Sequence, residues 1–327
     1  MAEKDMTNLP ECTERIRAHS LNPIKKIYVI GAARLQSRLP SDSTVEWVDE
    51  ESLHPNLLEV RSALAEMGNR HDNAGWYFQQ LLKLCAFRIL GPVGDHLLIY
   101  DSDAVPVHDM PFVDGQGRSL LAYGYPLIWR LNTRYHSVPV QHSAVSSATR
   151  LVPGWRAVDA YSGIQHHMVM DRVITNELMY RVEEHHGSEF WRAFLASVEK
   201  PKWHGISEYV IYRHFAIANF PDAVLSRHLN LLDIVEPVTG PYDLAEVARA
   251  APEHVDVVGC HRFSRYEQTL ETMDYIPPDL RQEMLAEAAP LSLHMDRGLL
   301  TVAALDTTGD GLEEQLRRNH PPAGPSA

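Results

Sequence analysis

The hydrophobic positions follow two periods. Short apolar runs closed by turn residues mark strands at Ile24–Ile30 (IKKIYVI) before Gly31, at Thr44–Val48 before Asp49, and at His96–Tyr100 (HLLIY) before Asp101. Ser119–Tyr123 and Asp256–Gly259 read the same way. Between these runs the apolar positions take helical spacing. Leu57, Leu58, Val60, Leu64 and Met67 predict an amphipathic helix over Asn56–Met67, stopped by Gly68. A second helix is expected over Gly75–Leu90, where Trp76, Phe78, Leu81, Leu82, Phe87 and Ile89 give a broad apolar face before Gly91-Pro92. Further helices are expected over 171–184, 189–198, 207–219, 243–250 and 278–288.

Strands alternating with helices predict an α/β fold, with one Rossmann-like mixed or parallel sheet flanked by helices. The chain shows no internal repeat at solenoid periods. The expected organisation is a polar lead-in over 1–23, a single domain over 24–305 with an insertion near 124–170, and a mobile polar tail over 306–327.

Composition narrows the classes. The 327 residues are 45% hydrophobic and 22% charged, which excludes a disordered, collagenous or disulfide-scaffold chain. Thirty Lys and Arg against 43 Asp and Glu give a formal net charge of −13, which counts against a nucleic-acid grip. Cys12, Cys85 and Cys260 stand far apart, so neither a zinc ribbon nor a disulfide framework is expected. The polar N-terminus and the lack of an apolar run of the ~20 residues that span a bilayer predict a cytoplasmic protein with no membrane partner. A homo-oligomer is compatible with all of this. Phosphate-loop, GxGxxG, GxSxG and HExxH motifs are absent from the sequence.

The tripeptide Asp101-Ser102-Asp103 carries the most chemistry. It follows an apolar strand, and in open α/β sheets ligands gather beyond the carboxyl ends of strands. In an extended segment residues i and i+2 point the same way, so Asp101 and Asp103 could share one hard cation, Mg²⁺ or Mn²⁺. A chance pair of carboxylates at a strand end is the plainer reading. On the preceding helix Gln79 and Lys83 are four residues apart and share a face, which makes them donor-binding candidates or solvated surface. Of His166 and His167, adjacent in an extended segment, one is expected to face a site and bind sugar hydroxyls. Glu208 lies in the first turn of a helix capped by Ser207. It reads either as a dipole-complementing carboxylate or as a general base, with Asp171 as the second candidate base. Trp203 is either a platform for a sugar ring or a core ring beside a turn.

WYFQQLLKL (Trp76–Leu84) followed by LLIYDSDAV (Leu97–Val105) resembles the GT-A fold glycosyltransferases, and within them a bacterial group with a WY-x-QQ-LLK helix before its D-x-D strand. SGIQHHMVMDR (Ser162–Arg172) and HGISEYVIY (His204–Tyr212) are similar to the paired-His and S-E-Y segments of that group, so the resemblance covers roughly residues 25 to 270. It implies a GT-A-like fold and a nucleoside-diphosphate sugar donor, a UDP-sugar before a GDP-sugar. It also implies Mn²⁺ or Mg²⁺ on the D-x-D, and glycosyl transfer to a hydroxyl. Glycogenin-like members add a late His to the metal, and His261 matches that placement; a hydrogen-bonding loop His is its other reading. Asp101 and Ser102 would then touch the donor and Glu208 would line the site; Arg262, whose guanidinium can fork onto phosphate oxygens, reads either as a diphosphate contact or as a surface ion pair. The acidic balance suggests a soluble acceptor, such as a small aminosugar-type metabolite. The alternatives are a nucleotidyltransferase of the same fold, a metal-dependent hydrolase, and a non-catalytic sugar-nucleotide-binding protein.

Overall fold

A computed structural model describes residues 6–39, 42–68, 74–124, 127–132, 137–141, 144–198, 205–235, 244–261 and 300–302. In chain order the first elements are α1 (Leu9–His19), β1 (Ile27–Gly31), β2 (Val45–Asp49), α2 (Leu57–Glu66), α3 (Ala74–Leu84), α4 (Ala86–Leu90), β3 (His96–Tyr100) and β4 (Ala104–Pro106). Then follow β5 (Ser119–Ala122), β6 (Ile128–Asn132), β7 (Ser137–Gln141), α5 (Ala144–Leu151), β8 (His167–Asp171), α6 (Arg172–His186) and α7 (Phe190–Ala196). The last are α8 (Glu208–Asn219), β9 (Val224–Arg227), β10 (Leu231–Val235), α9 (Leu244–Ala250), β11 (Val257–His261) and β12 (Leu300–Val302). The helix expected over 278–288 and the tail over 306–327 lie outside the described residues.

The fold is mixed α/β, with small sheets flanked by helices. Where one sheet was expected, the described strands form five small sheets: β1–β2, β12–β10–β11–β4, β3–β8, β5–β9 and β6–β7. The pairs β1–β2, β5–β9 and β10–β11 are parallel, and the rest are antiparallel. The strands are short, three to five residues each. At residues 101–103 the chain turns, with the Ala104 N–H on the Asp101 carbonyl at 3.2 Å, and passes from the β3–β8 ladder into the four-stranded sheet.

Two further expectations change. The polar lead-in contains α1, which buries Leu9, Cys12, Thr13 and Ile16; Cys12 and Ile16 pack with Val105 and Val107. Its polar residues hid a helical spacing of apolar ones. The helix expected over 75–90 is two helices, because Cys85 (φ −85°, ψ 4°) leaves helical geometry between α3 and α4.

The main core gathers α2, α3 and α5–α8. Every side chain of α8 from Glu208 to Ala216 is buried. Burying Val210, Ile211 and Phe215, at about 1.5–3 kcal/mol each, offsets the cost of carrying Glu208, Arg213 and His214 inside on the same helix. Arg213 reaches both Asp159 oxygens at 2.7 Å, and His214 Nδ1 accepts the Val158 N–H at 3.1 Å. Gly124 (φ +66°) lies against residues 163–164 so closely that a Cβ would sit 2.4 Å from Ile164 N. Among the described residues no helix is long and apolar enough to cross a membrane.

Candidate active site

Four segments meet at one point. The last turn of α3 carries Lys83, whose Nζ lies 2.6 Å from Asp101 Oδ1 and 2.8 Å from Glu208 Oε1. The side chains are 11%, 18% and 1% exposed respectively, so one cation and two carboxylates form a triad in which Glu208 is buried and Lys83 and Asp101 are mostly so. Tyr209 closes the triad, with its hydroxyl 3.3 Å from Lys83 Nζ and 3.5 Å from Asp101 Oδ2. The Lys83 ammonium also stands 4.7 Å from the centre of the Tyr209 ring.

Each side chain is fixed by local structure. Ser207 caps α8 by accepting the Val210 N–H, and Gln80 Oε1 accepts the Glu208 N–H at 3.0 Å. Two of the N–H groups that a helix start leaves open are thereby satisfied, and Glu208 is held in the first turn. His166 fixes Asp101 twice: its carbonyl accepts the Asp101 N–H at 2.8 Å, and its Nδ1 lies 3.6 Å from Asp101 Oδ2. His166 has φ +58°, the one non-glycine residue with positive φ among the described residues. That backbone costs about 1–2 kcal/mol, and strain of this kind gathers at functional sites.

Burial and charge oppose each other here. Burial works against the Lys83 ammonium, but Asp101 and Glu208 overcome it and raise its pKa well above the ordinary value. Burial would raise Asp101; Lys83 and then His166 outweigh it and hold that carboxyl well below the carboxylate range. For Glu208 burial prevails over Lys83, and its pKa is raised. Glu208 Oε2 has no hydrogen-bond partner. The arrangement offers a carboxylate of increased basicity, steered by a permanent cation.

The other candidates are placed as follows. His167 points into the core, with Nδ1 on the Gln165 carbonyl at 2.9 Å and its ring stacked on Tyr100; burial, then Arg227, pushes its pKa down to about 3. Asp171 is not beside the triad. The β3–β8 register sets it opposite His96, at the far end of the ladder from Asp101, where it caps α6 by accepting the Val173 and Ile174 N–H groups. Gln79 is exposed and Gln80 is buried, because the residue that shares the inward face with Lys83 is three positions away, not four. Asp101 and Asp103 sit in a turn with half-buried Ser102 between them, so the extended i, i+2 geometry expected of them does not apply. His261 ends β11 and its side chain lies outside the described set; Trp203 and Arg262 lie outside the described residues.

Tyr209 was not expected at the site, and Gln80, on the same helix as Gln79 and Lys83, takes the inward place expected of Gln79. Tyr209 stands next to Glu208 in the S-E-Y segment, at the start of a helix whose apolar run Val210, Ile211 and Phe215 marks a buried element.

Among curated proteins no relative matches the chain. Over residues 32–234, a span that holds Lys83, Asp101, His166 and Glu208, the chain matches DUF6492, described as a family of unknown function. It belongs to that family.

Proposed function

We propose that the chain is a GT-A-like glycosyltransferase. It moves a sugar from a nucleoside-diphosphate sugar, a UDP-sugar before a GDP-sugar, to a hydroxyl of a soluble acceptor such as a small aminosugar-type metabolite. The observation that carries this reading is convergence: the four segments that carry the resemblance supply Lys83, Asp101, His166 and Glu208 to one buried cluster. Glu208 is the base. It takes the proton of the acceptor hydroxyl as that oxygen bonds to the anomeric carbon. The bond from that carbon to the diphosphate oxygen breaks, and its electron pair leaves with the nucleoside diphosphate. A single displacement of this kind inverts the anomeric centre. Lys83 pairs with Oε1 of Glu208 at 2.8 Å, and Oε2, buried and without a hydrogen-bond partner, is the oxygen assigned to the acceptor proton.

The resemblance also implies Mn²⁺ or Mg²⁺ on Asp101, Asp103 and His261. The described residues do not fit that ion, since Asp101 Oδ1 already meets Lys83 Nζ at 2.6 Å. Among the described residues no three His, Cys, Asp or Glu side chains converge to hold a metal. The reading sets the protein in the cytoplasm, where Cys12 and Cys85 stay free thiols.

The test is calorimetric titration of UDP, GDP, dTDP, ADP and CDP, each with Mn²⁺ and with a chelator, followed by transfer assays on the matching sugar nucleotides. One nucleotide is expected to bind. Glu208→Gln is expected to keep that binding and lose transfer by about 10²–10⁴-fold. If no nucleotide binds under either condition, the proposal fails.

A further inference from the structure

We propose that Tyr123, Tyr161 and His228 form a seat for a pyranose ring, and that this ring belongs to the acceptor. The second half rests on the transfer reading above; the first does not. Strands β5 and β9 run parallel, with Ala122 opposite Arg227, so the next residues, Tyr123 and His228, leave the carboxyl end of the pair together. Their rings stack at 4.2 Å and 29°. Tyr161 leans on Tyr123 at 4.8 Å and turns its edge to His228 at 6.4 Å and 86°. All three are half-buried, whereas Tyr209, Tyr212 and Phe215 of the neighbouring α8 are buried. An aromatic cluster left partly open at the carboxyl end of parallel strands sits where ligands of α/β sheets gather.

The seat is rigid. The Gly163 N–H donates to the Tyr123 carbonyl at 2.7 Å, and the Tyr123 N–H to the Arg227 carbonyl at 3.0 Å. Beneath it Arg213, fully buried and paired with Asp159, stands 5.2 Å from the Tyr123 ring centre. Gly124 and Gly163, both at positive φ, permit the close approach that presses this corner together. Five residues beyond Tyr161, His166 clamps Asp101, so one short segment joins the seat to the ion cluster.

The chemistry of the seat selects its occupant. Among the described residues the cation beneath the rings is Arg213, and it is paired with Asp159. Burial pushes Tyr123 up and His228 down, so both rings are neutral at pH 7. Neutral aromatic faces rimmed by phenol and imidazole groups suit the C–H face of a sugar and its hydroxyls, and give a free anion no counter-charge.

Saturation-transfer NMR on the full chain tests the proposal, with methyl glucoside, methyl galactoside, methyl mannoside and glucosamine as probes and the nucleotide titration in parallel. At least one probe should bind. Tyr161→Ala and His228→Ala should each weaken it about three- to tenfold, the worth of one aromatic contact, while Tyr161→Phe stays within about twofold. Nucleotide affinity should not move. If no probe binds, or if the alanine variants bind like the parent, the seat is refuted; should one variant not fold, the other decides. Loss of nucleotide in place of sugar would reassign the rings to the base and overturn the proposal. Sugar binding that depends on the rings, with no nucleotide bound, would keep the seat and remove the transfer reading.

Discussion

Lys83→Met keeps most of the side chain and removes the charge that stands 2.6 Å from Asp101 and 2.8 Å from Glu208. Two carboxylates, 18% and 1% exposed, are then left facing each other without their cation. Deleting one partner of a buried pair costs about 3–5 kcal/mol, and a cation shared by two anions belongs at the upper end. The loss depends on pH with a definite sign. In the parent, Asp101 is held below its unfolded value, so its contribution is present above that value and is lost as pH falls through the folded one. Glu208 is raised, so its ionisation costs stability as pH rises through its folded value. Without Lys83 both carboxyls move up, and the folded variant holds protons that the unfolded chain has released. Its deficit should be largest at pH 7–8 and shrink toward pH 5. Urea unfolding followed by the fluorescence of the six Trp, across that range and at constant m, reads the difference directly. A deficit under about 1 kcal/mol at pH 7, the range of an exposed pair, or one that does not narrow at low pH, would refute the buried-triad reasoning.

Two stability predictions probe the ground under the aromatic seat. Gly124→Ala should cost about 2–5 kcal/mol in thermal or urea unfolding, since it adds a Cβ against Ile164 backbone at positive φ, whereas Gly68→Ala, at φ +79° in open space, should cost only about 1–2 kcal/mol. Asp159→Asn should cost about 3 kcal/mol at pH 7, because it leaves the fully buried Arg213 uncompensated. Burial raises Asp159 but Arg213 depresses it more, so the deficit should fade as pH drops through that depressed value, which unfolding curves from pH 7 to pH 3 would follow.

Strong local signals were legible in the sequence. His96–Tyr100 falls on the strand the pattern marked, and Asn56 begins α2 with a full capping box. What periodicity could not give was the pairing of strands. β8 lies antiparallel to β3, and that register alone separates His166, at Asp101, from Asp171, at the opposite end. The i, i+2 argument for Asp101 and Asp103 failed for a related reason: it assumed that β3 continued, and the chain turns there. The Gln79–Lys83 pairing failed because i, i+3 and i, i+4 neighbours are equally good on paper, and only packing against α8 chooses Gln80. Helix α1 was missed because four charged residues, Glu11, Glu14, Arg15 and Arg17, outweigh its buried stripe in any average.

The ion cluster is hard to explain as a structural device. Taking Lys83, Asp101 and Glu208 out of water costs several kcal/mol per ion, and hydrophobic residues of similar volume would match or exceed the net stability that the triad returns. The cluster is not even balanced, since one ammonium serves two carboxylates and Glu208 keeps an oxygen without a hydrogen-bond partner. His166 adds a strained backbone in order to hold Asp101. Gln80 spends a buried amide on fixing the helix start from which Glu208 projects. Four segments spread from residue 80 to residue 209 thus accept costs that only their meeting point can repay. A fold selected for stability alone would have filled that point with leucine. A second carboxyl there, with its pKa raised by burial, is the physical ground of the proton-transfer role proposed for Glu208.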